Sequence, residues 1–575
     1  MSRSAFAWHV FAVLILCVAL QVRADDEAAA TATPPTTAAP TQPVNSNDDM
    51  RELQAAAIKQ AHADWGYWGP SSSIYAGWST HSNRLIPVYT FGIDLKAVRG
   101  EHSVYRDEAR LKELYGYLPI GTVNEHAEYF DQTDLCQLQQ MAVAAGKKRI
   151  ILFIFDGTDW QTTWAAATYA AGEVKYREGR GTGLHFQDYR GVPTDFGFMV
   201  TSPHNEGTKT DVSLQKVLNR GGKVRGGFDF AEACETPWGE AANSLYLIGK
   251  STTAPQAYTD SSSSATSMTA GIKTYNDGVN VDPDGKPVDT IARQLQKQNW
   301  SVGAVTSVPI SHATPACAYA VNVWRDDYQD LTRDLVGLPS ISHPDVPMPG
   351  LDVLIGTGWG ETLKTDKPQG VNFVAGNRYL TEIDKRTIDA RGGGKYVIAE
   401  RTAGTSGKQV LTDAAADAIK NKHRLLGFFG SAPRYHLPFS TADGNFDPTI
   451  GVKLTAESYT DADLHENPRL TDIASAALDV LSQNKNGFWL MIEAGDVDWG
   501  NHDNNIDNAI GAALDGDAAV RTVTNWIENH GGWNDTVLIV TADHGHYFHL
   551  LQPEVIAAAG AKAHKAKGMP RQLAR

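Results

Sequence analysis

Four apolar runs along the chain each end in a polar cluster. They are "RIILFIFDGTDW" at Arg149–Trp160, "SVGAVTSVPISHATPA" at Ser301–Ala316, "GFWLMIEAGDVDWGNH" at Gly487–His502 and "TVLIVTADHGHYFH" at Thr536–His549. Unbroken runs rich in β-branched and aromatic residues predict strands buried on both faces, as in a parallel sheet covered by helices. Between them, Thr471–Ser482 "TDIASAALDVLS" and Ala509–Asn529 "AIGAALDGDAAVRTVTNWIEN" read as helices. Strands alternating with helices predict an α/β fold, a three-layer sandwich whose central, mostly parallel sheet is flanked by helices. A fifth stretch, "GWSTHSNRLIPVYTFG" at Gly77–Gly92, places a histidine, His81, just before a strand-like run and far ahead of the other clusters.

The start of the chain has a different character. Arg3, an apolar run from Ala5 to Leu20, and Val22-Arg23-Ala24 read as an export signal over residues 1–24, with an uncleaved anchor as the alternative. Leu16 before Cys17 does not fit a lipoprotein signal. The Ala/Thr/Pro-rich tract that follows, within residues 25–48, is too poor in apolar surface to fold and reads as a tether. The folded part is expected from residue 49 to the end, 49–575, as one catalytic domain with insertions within 157–257 and 326–485. The expected location is exported, periplasmic or extracellular, with no stable membrane insertion once the leader is removed.

Composition narrows the function. Of the 575 residues, 42% are hydrophobic and 20% charged, enough apolar material for a large core. A formal charge of −15 argues against nucleic-acid binding, because the summed field repels polyanions. With the leader removed, Cys136, Cys234 and Cys317 remain, an odd number that rules out a disulfide framework as the organising principle.

Ligands in open α/β sheets bind beyond the carboxyl ends of the strands, which is where Asp156, Glu493 and Asp543 fall. Asp498 and His502 follow Glu493 at i, i+4 spacing, and His544 follows Asp543. Alone, each acid could be a turn or helix cap and each histidine an ordinary core or surface residue. Their recurrence at successive strand ends points to divalent metal. "YTDSSSSATSMTAG" at Tyr258–Gly271 reads either as a Ser-rich linker or as a helix whose N-terminal serine lies where an anion is favoured.

"TDSSSSAT" resembles the nucleophile motif of the alkaline phosphatase family. On that resemblance Ser261 is the attacking serine and Ser262 to Ser264 fill small-residue positions. The other runs resemble the family in order. "FIFDG" implies that Asp156 bridges an inner zinc and a magnesium ion, and "SHATPACAYAVNVWR" implies that Thr314 binds magnesium and Arg325 clamps phosphate. "EAGDVDWGNH" implies Glu493 for magnesium with Asp498 and His502 for an outer zinc. "TADHGH" implies Asp543 and His544 for the inner zinc, with His546 supporting the ligands. His312 and Trp499 occupy positions that vary among members and border the magnesium site and the phosphate.

The resemblance also implies a third outer-zinc ligand about forty residues after His544, where this chain has already ended. His549 and His564 are nearby, but His549 lies in an apolar stretch only five residues from His544 and His564 sits in a Lys-rich tail with no strand after it, so neither has the expected context. "GWSTHSNRLIPVYTFG" has that context, and "EYFDQTDLCQLQQMAVA" at Glu128–Ala144 resembles the element that normally closes the family's chain. This implies a circular permutation, with residues 49–147 joining the same core and His81 as the missing ligand. The alternative is a loop histidine in an unrelated accessory domain.

The function implied is hydrolysis of small phosphate monoesters through a phosphoserine, with two Zn²⁺ and one Mg²⁺, and a homodimer is compatible with it. Rival readings are a phosphodiesterase or sulfatase of the same superfamily, or a catalytically silent phosphate- and metal-binding protein. "RGGGK" at Arg391–Lys395 lacks the Ser/Thr of a phosphate loop and reads as an ordinary flexible loop.

Overall fold

A computed structural model describes residues 48–566, apart from 448 and 455. The expected leader, and the tether except Asp48, lie outside the described residues. Ten strands build one central sheet. In chain order they are β1 (Ile86–Phe91), β2 (Phe130–Asp131), β3 (Arg149–Phe155), β4 (Thr194–Val200), β5 (Ser301–Pro309), β6 (Val353–Thr357), β7 (Tyr396–Glu400), β8 (Arg424–Phe429), β9 (Phe488–Ala494) and β10 (Thr536–Thr541).

Across the sheet the order is β7-β8-β6-β5-β9-β3-β10-β1-β4-β2. Neighbours run parallel except where β1 lies antiparallel between β10 and β4. The sheet is therefore mostly parallel, as the apolar runs predict. Its centre is β5, β9, β3 and β10, with Glu493 level with Thr306 and with Ile154, two residues before Asp156. That register brings the polar ends of the four quoted runs to one edge of the sheet.

The runs lack alternation because both faces are covered. Ile151, Phe153, Leu490, Ile492, Leu538 and Val540 belong to one core, packed with the helices Trp160–Ala171, Leu470–Leu481 and Ile506–Asn529. Ile150, Leu152, Trp489, Met491, Val537 and Ile539 belong to a second, against the helices Asp134–Ala144 and Ser261–Ala270. At about 1.5–3 kcal/mol for each fully buried large aliphatic side chain, these two interleaved sets hold the layers together. An acid within either set would leave a charge in the interior, so the acids fall just beyond it.

The stretches expected to contain insertions also contribute to the sheet, since 157–257 supplies β4 and 326–485 supplies β6, β7 and β8. These strands are short or interrupted by glycine, which hides them from a reading based on long apolar runs. The "RGGGK" stretch makes a 3₁₀ turn at Ala390–Gly392 before β7. Cys136, Cys234 and Cys317 are free thiols. Among the described residues, no helix is long and apolar enough to cross a membrane.

Candidate functional site

The serine run is a buried helix, not a linker. Asp260 caps the helix Ser261–Ala270 by accepting from the Ser263 N–H at 2.9 Å and from the Ser262 hydroxyl at 2.7 Å. Ser264 donates to the main-chain carbonyl of Asp543 at 2.7 Å and accepts from Gln132 Nε2 at 2.8 Å. Each serine after the first is thus used to fix the helix. Ser261, the first residue, is left facing the strand ends, where the helix dipole favours an anion.

Ser261 Oγ lies 3.1 Å from His544 Nε2 and 3.5 Å from Asp156 Oδ1, which are themselves 3.3 Å apart. Asp543 Oδ2 is 3.5 Å from the same His544 nitrogen and has no hydrogen-bond partner. Tetrahedral bonds of about 2.0–2.1 Å place ligand atoms about 3.3–3.4 Å apart, so Ser261 Oγ, His544 Nε2 and Asp156 Oδ1 are spaced as three ligands of one ion, with Asp543 Oδ2 beside the same nitrogen. Asp543 is itself held by the N–H groups of Gly157 and His544, each 2.9 Å from Oδ1. Gly157 has φ +67°, and a Cβ there would meet Asp498 Oδ1 at 2.7 Å, so only glycine lets the chain turn at this point.

A second group sits beside the first. His81 Nε2 is 3.2 Å from His502 Nε2, and His502 Nε2 is 3.4 Å from Asp498 Oδ2, again the edges of a tetrahedral site. His502 Nδ1 donates to the carbonyl of Ser79 at 2.6 Å, which leaves its Nε2 as a lone pair aimed at His81. His546 Nε2 meets Asp498 Oδ1 at 2.5 Å and holds that carboxylate in place. His81, Asp498, His502 and His546 offer ligand atoms all within 4.8 Å of one another, as do Asp156, Asp498 and His544. His81 is brought to this group although 421 residues separate it from His502.

A third group is all oxygen. Thr314 Oγ1 donates to Asp156 Oδ2 at 3.4 Å, and Glu493, whose Oε1 has no hydrogen-bond partner, is bonded through Oε2 to Thr306. Arg325 is buried, with Nη1 on Asp260 Oδ2 at 3.1 Å and Nη2 3.4 Å from His312 Nε2. Trp499 packs edge-on against His312 with ring centroids 6.1 Å apart. Every site residue expected from sequence therefore falls in one neighbourhood. His549, in contrast, stacks on Tyr67 and meets Arg84, away from the ligand groups.

The electrostatics ask for positive charge. Burial first, then Asp543, Asp498 and Glu493, hold the Asp156 carboxyl well above its ordinary value. Burial pushes Asp543 up to about 7 and raises Glu493. Burial also lowers His81 far below its usual range, helped by His544 and His502, and brings His544 down to about 3. At Asp498 burial is outweighed by His502, His546 and His544, which hold the carboxyl well below its usual range. Crowded carboxylates beside imidazoles are what divalent cations bind.

Chelating such ions is therefore expected to lower the thermal midpoint more at pH 8 than at pH 6. Asp543 in the stripped protein titrates at about 7, above its unfolded value of 3.8, so its contribution is complete below that value and is lost as pH rises through 7. At pH 6 a proton replaces part of the missing charge; at pH 8 it does not. His544 is neutral at both values and drops out of the comparison. Melting curves of loaded and stripped protein at the two pH values check this; an equal or smaller gap at pH 8 would contradict the charge assignment.

Residues 238–570 match the family model described as alkaline phosphatase. An alkaline phosphatase of Escherichia fergusonii is 28% identical over 344 residues, covering 56% of this chain and 65% of that protein. Alkaline phosphatase 4 of Bacillus subtilis is 30% identical over 291 residues, covering 50% of this chain and 49% of that protein. The solved structure of a cold-active alkaline phosphatase from a psychrophilic Shewanella aligns with a TM-score of 0.40 and 21% identity, covering 69% of this chain and 68% of that one. The chain thus spans less than two thirds of the length of the curated relatives it matches. Asp156 and His81 both precede the matched residues.

Proposed function

This chain belongs to the alkaline phosphatase family, and on that premise we propose that it hydrolyses small phosphate monoesters through a phosphoserine on Ser261. The observation that carries this reading is the position of Ser261 Oγ, at the start of a helix and 3.1–3.5 Å from two atoms that could hold a metal ion, His544 Nε2 and Asp156 Oδ1. The donor sets fit the metals: nitrogen with carboxylate in the first two groups, oxygen alone in the third. We assign zinc to Asp156, Asp543 and His544, a second zinc to Asp498, His502 and His81, and magnesium to Asp156, Thr314 and Glu493. When bound, these ions supply Lewis-acid charge that lowers the pKa of the serine hydroxyl and stabilises the departing oxygen.

The chain's own residues do the rest. Arg325 is anchored on Asp260, beside the nucleophile, and its planar guanidinium can hold two phosphoryl oxygens at once. Ser261 releases its hydroxyl proton to solvent and Oγ forms its bond to phosphorus as the bond to the leaving alcohol breaks; the alcohol oxygen departs with the electron pair and takes a proton from solvent. Water then attacks phosphorus from the vacated side and gives up a proton, the Oγ–phosphorus bond breaks with its electron pair going to Oγ, Ser261 takes a proton from solvent and inorganic phosphate leaves. The N-terminus of the helix Ser261–Ala270 favours the anion throughout.

Circular permutation belongs to the same proposal. It is supported by β1, which joins the sheet beside β10, and by His81, which precedes β1 and meets His502. Export through residues 1–24 rests on the sequence alone. Parallel assays with a chromogenic phosphate monoester, diester and sulfate ester test the activity. The monoester is expected to be cleaved with the largest kcat/KM; preference for the diester or sulfate, or no cleavage of any, would favour the rival readings.

A further inference from the structure

One buried trio of ionisable side chains has no part in the reaction as described. His436 is 0% exposed and lies between two carboxylates. Its Nε2 is bonded to Glu457 Oε1, and its Nδ1 is 2.6 Å from Asp496 Oδ1. Burial lowers the pKa of His436, but Glu457 and Asp496 outweigh it and raise the imidazole to about 10, so the ring is a cation at neutral pH. The loop that carries it is pinned as well. The Leu437 N–H donates to the carbonyl of Ser307, near the end of β5, at 2.9 Å, and the Ser307 hydroxyl accepts from the Gly495 N–H at 3.0 Å.

Buried ion groups often add little stability over apolar residues of the same size, but they hold their members in one arrangement. The ring held here packs against Trp499, with centroids 5.0 Å apart and planes at 68°. Arg434, in the same loop, has its guanidinium 5.9 Å from the centre of that indole. Asp496 opens the helix Asp496–His502 and Trp499 stands about one turn along it, so His436 grips this helix at two points.

From Trp499 the contacts lead to the phosphate clamp. The indole packs edge-on against His312 at 6.1 Å, and His312 Nε2 is 3.4 Å from Arg325 Nη2. Asp260 holds the other arm of the guanidinium, Nη1, at 3.1 Å. A planar fork held at one arm can still swing about that bond, and His312 holds the second arm. His312 and Arg325 are each 3% exposed, so packing sets the angle of the imidazole, and the half-buried Trp499 forms one wall around it.

We propose that His436 is a positioning residue for the phosphate clamp: by holding Trp499 against His312 it fixes the Nη2 arm of Arg325 for a phosphoryl oxygen. This role rests on Arg325 being the clamp of the proposed phosphatase. A fork set before the phosphoryl group arrives binds it more tightly than one that must be ordered on arrival.

Calorimetry of inorganic phosphate binding to the metal-loaded protein tests the proposal, with His436→Gln, Arg325→Lys and the double variant compared. Glutamine keeps hydrogen-bonding groups but has no ring to set the indole, and lysine keeps the charge but has no Nη2 arm. His436→Gln is expected to raise the phosphate Kd about tenfold with zinc content unchanged, and to add nothing in the Arg325→Lys background. Glu457→Gln, which frees one side of the ring, is expected to raise Kd in the same direction and serves if His436→Gln does not fold. A merely structural role would lower the thermal midpoint and leave the Kd of the folded protein unchanged. Folded variants that bind phosphate as tightly as wild type, or a His436→Gln effect as large in Arg325→Lys as in wild type, would overturn the proposal. Wild type that neither binds phosphate nor cleaves a monoester would overturn the phosphatase reading, and this role with it.

Discussion

Replacing Ser261 by alanine is expected to lower phosphate-monoester hydrolysis by about 10³-fold or more, equivalent to about 4 kcal/mol of transition-state stabilisation. The side chain is 1% exposed and tied to the interior through contacts with His544 and Asp156, so the substitution removes one oxygen and leaves the helix intact. The cap on Asp260 and the bonds of Ser264 do not involve it. Zinc content and thermal midpoint should therefore stay close to wild type, and Ser262, whose hydroxyl is committed to Asp260, should not substitute. The measurement is steady-state hydrolysis of a chromogenic monoester beside metal analysis of both proteins. Unchanged turnover in a metal-loaded variant would remove the phosphoserine from the account.

The second large effect is expected at His81. His81→Ala should lose about one zinc per chain and lower kcat/KM by about 10²-fold or more, because a three-ligand site reduced to Asp498 and His502 holds its ion weakly. His502 would keep its bond to the Ser79 carbonyl, so its orientation should survive. His81 is 1% exposed, and the alanine variant also leaves a small cavity. His81→Asn retains more of the volume, and loss of metal from both variants separates ligation from packing. Excess zinc should restore part of the activity of either. A merely structural role would lower the thermal midpoint without changing zinc stoichiometry.

Much of this site was legible in the sequence because the chemistry sits where a strand stops. A parallel strand buried on both faces has no place for a charge, so Asp156, Glu493 and Asp543 mark the ends of β3, β9 and β10 by exclusion. Residues that act by holding others left no such mark. Thr306 lies inside β5 and reads as one more β-branched strand residue, yet it bonds Glu493. Ser79 contributes only a main-chain carbonyl, a group every residue has. Gln132 reaches Ser264 from a segment that resembles a chain terminus, a contact set by topology. The antiparallel direction of β1 was equally hidden, since direction depends on which neighbour a strand finds. The place of His436 was hidden too, because a single loop histidine gains its setting only from Glu457, Asp496 and Trp499, which the fold brings to it.

On the proposed reading, a histidine more than four hundred residues from its partners completes the second metal group. A crystal structure of the zinc-loaded protein with data at the zinc absorption edge tests it most directly. An anomalous peak is expected about 2.0–2.1 Å from His81 Nε2, shared with His502 Nε2 and Asp498. A zinc ion bound to Asp498 and His502 with His81 outside its coordination sphere would contradict it.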